Sequence, residues 1–407
     1  MRILYLSSEY PPETGFGGIG TYTFTIAHAL ARRGHEVQVI CSTRSQNPRS
    51  EHDNDVVVHR TPHAGYPLPQ QRWGYPWRVL ARRFALQTLG KLSWSKAAAH
   101  RAHELSCTNG VFDIVEYPEC NGEGFSLDRG VARASVVRFH TPWRMIRSLD
   151  DIREGLIDRM LMDTIEVRAA RRAHAATAPS RAMATRVPSY RRGDEPAVIP
   201  NPIVLESSAP RNTGECWVYT GRVERRKGVH LLLQAYGELR RSVTPPPLVL
   251  VGRAYGTDNG HYPYVQVIRD LIDHYELHDC VTWIQGVPHP RVRDHLLRAS
   301  VAVYPSLWEN FPYACLEAMS QGCAVIASRC GGYPEFIDEG RNGLLFEPGS
   351  VVALTDVLRQ AALNPGQMHQ LGLTAHATLR GRFDCDVIAA HTESLYQDLI
   401  RSMPHEP

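Results

Sequence analysis

Short runs of β-branched and apolar residues alternate with helical patterns through most of this chain, and that alternation is the strongest restraint on its fold. Strand, helix and strand in one direction bury both faces of a parallel sheet, so the expected class is α/β with doubly wound sheets. Strands are expected over 3–6, 37–41, 56–59, 112–117, 135–139 and 175–178, with helical patterns over 21–33 and 153–172. After Arg191-Arg192-Gly193-Asp194-Glu195-Pro196 comes Ile199-Pro200-Asn201-Pro202, the composition of a hinge between domains. A second set then runs through expected strands 217–220, 248–251, 280–284, 301–304 and 324–327, with a helix over 229–241. Two domains follow, residues 1–195 and 196–388, and a closing helix over 389–402 able to complete the first, although the sequence does not decide between them.

With 407 residues, 43% apolar and 21% charged, the composition is that of an ordinary globular protein. Its 45 basic and 42 acidic residues leave a net +3, which excludes a dedicated nucleic-acid binder. Nine scattered cysteines with no C-x-x-C pair read as reduced, mostly buried thiols, not as a disulfide framework or a zinc site. Met1-Arg2-Ile3-Leu4-Tyr5-Leu6 turns polar at Ser7-Ser8-Glu9, too early for a signal peptide, and no run of about 18 apolar residues occurs. The expected location is the cytoplasm, with peripheral contact on the inner face of the membrane as the most membrane engagement.

Four stretches carry chemistry. Gly15-Phe16-Gly17-Gly18-Ile19-Gly20 matches the dinucleotide fingerprint G-x-G-x-x-G, but it begins eight residues beyond the first strand, and no acid closes the second strand at Cys41-Ser42. Small residues before a helix start instead suit an anion, held on bare backbone amides. Gly221-Arg222-Val223-Glu224-Arg225-Arg226-Lys227-Gly228 lies between a strand and a helix. Lys91, Lys96 and Lys227 are the only lysines among the 45 basic residues, so Lys227 stands out as chosen. Arg222 forks two oxygens and Lys227 offers a point charge, together a match for a diphosphate, although a solvated basic loop accounts for the same run.

Further on, Glu309-Asn310-Phe311-Pro312 leads into an expected helix of about ten residues, with Pro312 in its first turn and Gly322 just past its end. Glu317 falls inside that helix among Leu316 and Ala318, where a carboxylate needs hydrogen-bond donors such as a ribose diol. His140 ends a strand in Arg138-Phe139-His140-Thr141-Pro142.

The glycine loop, His140, the G-R-x-x-x-x-K-G run, the E-x7-E pair and Gly331-Gly332-Tyr333-Pro334-Glu335 occur in that order. Over about residues 1 to 350 the chain resembles a retaining GT-B glycosyltransferase of glycosyltransferase family 4. The resemblance implies two Rossmann-like domains facing an interdomain cleft that takes a nucleotide-diphosphate sugar. It further implies that Arg222 and Lys227 hold the diphosphate, Glu317 the ribose and Glu309 the hydroxyls of the transferred sugar. Gly17 and Gly18 border the phosphate, Gly18 through its amide, and Val287 borders the base. Asn310 and Phe311 complete the donor site, and His140 lies beside the anomeric centre. Asn310-Phe311-Pro312 departs from the Gly-Phe-Gly of many members.

The expected activity is metal-independent transfer of a sugar, with UDP favoured over GDP as carrier, to a glycan, lipid-linked or small-molecule acceptor. Fixed cations and helix N-termini stand in for a metal, and no other cofactor is expected. A sugar-nucleotide epimerase or hydrolase, a nonenzymatic sugar-nucleotide sensor and an NAD-dependent dehydrogenase are the competing readings. Residues 62–76 read as a loop shaping acceptor choice. In 76–106, Trp77, Phe84, Leu89 and Trp94 alternate with Arg78, Arg82, Arg83, Lys91 and Lys96, a mix that fits helix packing, a membrane surface or an acidic acceptor.

Overall fold

The computed structural model describes residues 1–15, 17–64, 86–150, 152, 154–187, 190, 195–205, 214–258 and 262–403. The chain divides into two compact units: Met1–Met145 with Glu154–Pro202 and Cys385–Pro407, and Ile146–Arg153 with Ile203–Asp384. The expected boundary after residue 195 moves to Pro202 because the short strand Ala197–Val198 pairs with Ala175–Ala178, and Arg138 donates to the Ile199 carbonyl at 3.0 Å. Residues 191–194 of the expected hinge lie outside the described residues.

The first unit holds eight strands: β1 (Arg2–Ser7), β2 (Glu36–Ser42), β3 (Arg49–Asp53), β4 (Val56–Thr61), β5 (Phe112–Pro118), β6 (Ala132–Arg138), β7 (Ala175–Ala178) and β8 (Ala197–Val198). Their order is β3-β4-β2-β1-β5-β6-β7-β8, parallel throughout except for β3 against β4. Ile3, Leu4, Tyr5 and Leu6 are all buried, as a strand covered on both faces by helices requires. The edge strand β3 has no apolar residue and was absent from the expected set. The helix Gly18–Arg32 begins three residues before the expected start, inside the glycine run.

The helix Leu86–Asn109 carries the described part of the aromatic and basic segment. Trp94 is buried and donates from Nε1 to Glu123 at 3.0 Å, while Lys91 and Lys96 are exposed. Trp77, Arg78, Arg82, Arg83, Phe84 and residues 65–76 of the expected acceptor loop lie outside the described residues. The closing helix, Cys385–Ser402, belongs to the first unit. Its Tyr396 hydroxyl donates to Glu116 at 2.8 Å and meets the Tyr5 hydroxyl at 3.0 Å.

The second unit's main sheet contains β9 (Cys216–Thr220), β10 (Leu248–Val251), β13 (Val281–Ile284), β14 (Ala299–Tyr304), β15 (Ala324–Ser328) and β16 (Leu344–Phe346). The pair β11 (Thr257–Asp258) and β12 (Tyr262–Pro263) forms a separate ribbon. The main order is β13-β10-β9-β14-β15-β16, all parallel. From β9 the chain winds to β10 and β13 on one side; from β14 it winds to β15 and β16 on the other. The order therefore reverses between β9 and β14, where the loops leaving both strands open a crevice at the carboxyl edge of the sheet. The helix Val229–Arg240 seals the sheet with Val229, Leu231, Leu232, Leu233, Ala235, Tyr236 and Leu239, a stripe at helical spacing.

Candidate functional site

The loops leaving β9 and β14 are stitched together. The Leu307 amide donates to the Arg226 carbonyl at 2.8 Å, and Gly228 lies so close that a Cβ there would stand 1.9 Å from the Pro305 carbonyl oxygen. Gly228 also has φ +70°, a conformation glycine adopts without steric cost. Arg225–Lys227 forms one 3-10 turn that brings the Arg226 and Lys227 cations against the β14 loop.

Glu309 receives two of those cations on one oxygen. Lys227 Nζ and Arg226 Nη1 both lie on Oε1, the guanidinium at 2.9 Å. Burial alone would raise the Glu309 carboxyl, and Lys227 and Arg226 more than reverse it, leaving the group below its ordinary value. Burial lowers the Lys227 ammonium, Glu309 opposes that shift and Arg226 adds to it. Arg226 is itself buried, with Nη2 on Glu224 at 2.5 Å and Nε on Asp150 at 3.4 Å. Arg222 differs: its side chain is 59% exposed and reaches Glu224 at 3.3 Å. Lys227 and Glu309 thus come together, while Arg222 stays exposed beside Glu224.

The helix Tyr313–Ser320 is eight residues long, shorter than expected, because Pro312 has extended dihedrals and caps it from outside. Gly322, at φ +75°, ends it as anticipated. Glu317 is half-buried and its Oε1 lies 3.0 Å from Nε2 of His289, a donor the sequence reading did not provide. That hydrogen bond raises the His289 imidazole despite burial. Val287 sits two residues before His289 in the loop after β13. The Phe311 ring is buried against Phe336 and Phe383, at 4.9 and 5.5 Å between centroids. Asn310 is likewise buried. The Gly332 amide donates to the Glu309 carbonyl at 3.0 Å, and a Cβ on Gly331 would stand 1.6 Å from that oxygen. The Gly331-Gly332 pair thereby fixes the backbone that carries Glu309.

In the first unit, Gly17 caps the helix Gly18–Arg32, and the Glu9 carboxylate lies at that helix start, 3.4 Å from the Gly20 amide. A Cβ on Gly17 would stand 2.2 Å from Glu9, which accounts for that glycine locally. His140 follows β6, its amide donating to Glu119 at 2.8 Å and its ring 5.3 Å from that of Tyr22. Burial and the nearby Arg138 hold the imidazole well below its usual value, so it is neutral at pH 7. Two Asp-x-Asp runs lie elsewhere: Asp53 of Asp53-Asn54-Asp55 accepts from Tyr10, and Asp386 of Asp384-Cys385-Asp386 pairs with Arg32.

Arg226, Asp150, Glu224, His289 and Glu119 escaped the sequence reading as site residues. A fourfold cation run does not say which member is buried, and Asp150 lies 76 residues before its partner.

Residues 17–202 match the family described as "Glycosyl transferase 4-like domain" and residues 204–377 that described as "Glycosyl transferases group 1". The chain belongs to the group 1 glycosyltransferases. This glycosyltransferase is 24% identical to a glycogen synthase of Mycobacterium tuberculosis (strain CDC 1551 / Oshkosh) over 415 residues, covering 97% of this chain and 94% of that one. Its fold matches sucrose-phosphate synthase (tll1590) from Thermosynechococcus elongatus with a TM-score of 0.76 at 20% identity, over 99% of this chain and 100% of the other. It also matches Anabaena Alr3699/HepE in complex with UDP-glucose, TM-score 0.65 at 19% identity, over 98% and 100%. The fold is that of the GT-B glycosyltransferases, built from two Rossmann-like parallel sheets. Among the described residues no helix is long and apolar enough to cross a membrane.

Proposed function

We propose that this glycosyltransferase is a retaining, metal-independent hexosyltransferase. It moves a sugar from a UDP carrier, in preference to GDP, to a hydroxyl of a glycan, a lipid-linked glycan or a small metabolite. The observation that carries this reading is Lys227 held on Glu309 at the point where the strand order of the second unit reverses. A leaving diphosphate needs charge stabilised in place, which Lys227 supplies with Arg222 beside it. Glu309 then accepts hydroxyls of the sugar, and Glu317, steadied by His289, accepts the ribose diol. Val287 borders the base, and Asn310 and Phe311 contribute backbone. Gly17 and Gly18 offer amides to phosphate, and neutral His140 serves the anomeric side.

In the step itself the bond from the anomeric carbon to the β-phosphate oxygen breaks while the acceptor oxygen bonds that carbon on the same face. The acceptor proton passes to the leaving phosphate, so no protein nucleophile is consumed. The UDP preference draws on the Anabaena neighbour, whose structure holds UDP-glucose.

Thermal-shift titration tests the carrier: UDP is expected to raise the melting temperature more than GDP, and the opposite ranking reverses the preference. NMR of the product is expected to show the donor's anomeric configuration; an inverted anomer removes retention. Activity is expected to survive EDTA, and loss restored by magnesium removes metal independence. Lys227→Ala is expected to cut turnover by about 100-fold or more with the melting temperature preserved.

A further inference from the structure

Two cations on a single carboxylate oxygen is one more than charge balance at Glu309 requires, and the two are held differently. Lys227 has only Glu309 as an ion-pair partner among the described residues, and its side chain is 17% exposed. Arg226 is anchored from behind by Glu224 and by Asp150, which also accepts from the Arg226 amide at 3.0 Å. Its Nη1 donates to the Trp308 carbonyl at 3.3 Å as well as to Glu309. The guanidinium is thus fixed on several sides, while the ammonium ends a flexible stem with one anchoring carboxylate.

We propose that Arg226 is the positioning residue of the donor site, holding the Glu309 carboxylate in place so that Lys227 is free to leave it for a donor phosphate. This rests on the reading of these loops as the donor site. A buried carboxylate abandoned by its sole cation is costly, so with Lys227 alone each binding event would strand Glu309. With Arg226 in place, Glu309 keeps a partner throughout, and phosphate binding costs only the exchange of Lys227 from one anion to another. Glu224 and Asp150 act one step further out by aiming Arg226. Asp150 belongs to the Ile146–Arg153 stretch, far from the rest of the site in sequence.

Calorimetric titration of the full chain with UDP, and in parallel with GDP, tests this in a double-mutant cycle. Arg226→Gln is expected to weaken nucleotide binding on the order of tenfold. In a Glu309→Gln background, where no carboxylate is left behind, the same substitution is expected to change affinity by less than about twofold. General damage to the loop would weaken binding equally in both backgrounds, and that result overturns the proposal. Arg226→Lys keeps the charge but cannot bridge three carboxylates, so it is expected to recover part of the loss. Because removing the guanidinium risks misfolding, Asp150→Asn, which leaves Arg226 present, is measured beside it and is expected to weaken binding by about threefold. If wild type binds UDP or GDP, Lys227→Ala loses it, and folded Arg226→Lys and Asp150→Asn both match wild type, this proposal alone falls. If wild type binds neither nucleotide, the donor-site reading falls and takes the proposal with it.

Discussion

Burial pushes the Glu119 carboxyl up to about 7, against which the backbone amides it accepts, that of His140 foremost, work in the other direction. A glutamate in the unfolded chain titrates near about 4.3. Between those values the folded protein binds the extra proton, so stability falls as pH rises through that window, by on the order of 3 kcal/mol. Burial also raises Glu116, Glu123 and Glu166, adding to the same slope. Glu119→Gln is therefore expected to flatten stability against pH between about 5 and 7, measured by urea unfolding across that range; an unchanged slope refutes the assignment. Residues of this kind leave no mark in the sequence that carries them. Lys227, Glu309 and Glu317 stand out in the sequence because rarity or spacing singles them out. Arg226 and Glu119 do not, because their importance comes from burial beside partners that only folding brings near.

Among elements, the turns of the second unit depend on glycines with no space for a side chain. At Gly228 a Cβ would meet the Pro305 carbonyl, at Gly331 the Glu309 carbonyl, and both have positive φ, +70° and +53°. Gly228→Ala and Gly331→Ala are each expected to cost roughly 2 kcal/mol or more and to weaken UDP binding. Gly366 in the helix Pro365–Arg382 has nothing within 4 Å, and Gly366→Ala is expected to be neutral or stabilising by about 0.5 kcal/mol. Chemical denaturation of the three variants checks the contrast. Elements were legible where burial writes itself into composition: β1, β9 and β15 are apolar runs and appeared close to their observed limits. The polar edge strand β3 leaves no such trace, since it pairs on one side only and its residues Arg49, Ser50 and His52 are exposed.

Across the whole molecule, the closing helix illustrates a choice that no local pattern decides. Its apolar stripe suits any sheet, and its place in the first unit is fixed by polar groups: the Tyr396 hydroxyl meets Tyr5 and Glu116, and Tyr22 donates to the same carboxylate at 2.8 Å. Tyr396→Phe is expected to cost about 1–3 kcal/mol by leaving buried Glu116 short of a donor, read as a lowered melting temperature; an unchanged melt removes that role. The stretch Ile146–Arg153 runs the other way, interrupting the first unit in sequence while packing with the second. Recombining this chain with a relative at the Pro202–Ile203 seam would thus draw Asp150 from one parent and the Arg226 position from the other. A chimaera designed as a simple exchange of halves would inherit a mismatched ion pair, and swapping the eight residues along with the distal half would restore it.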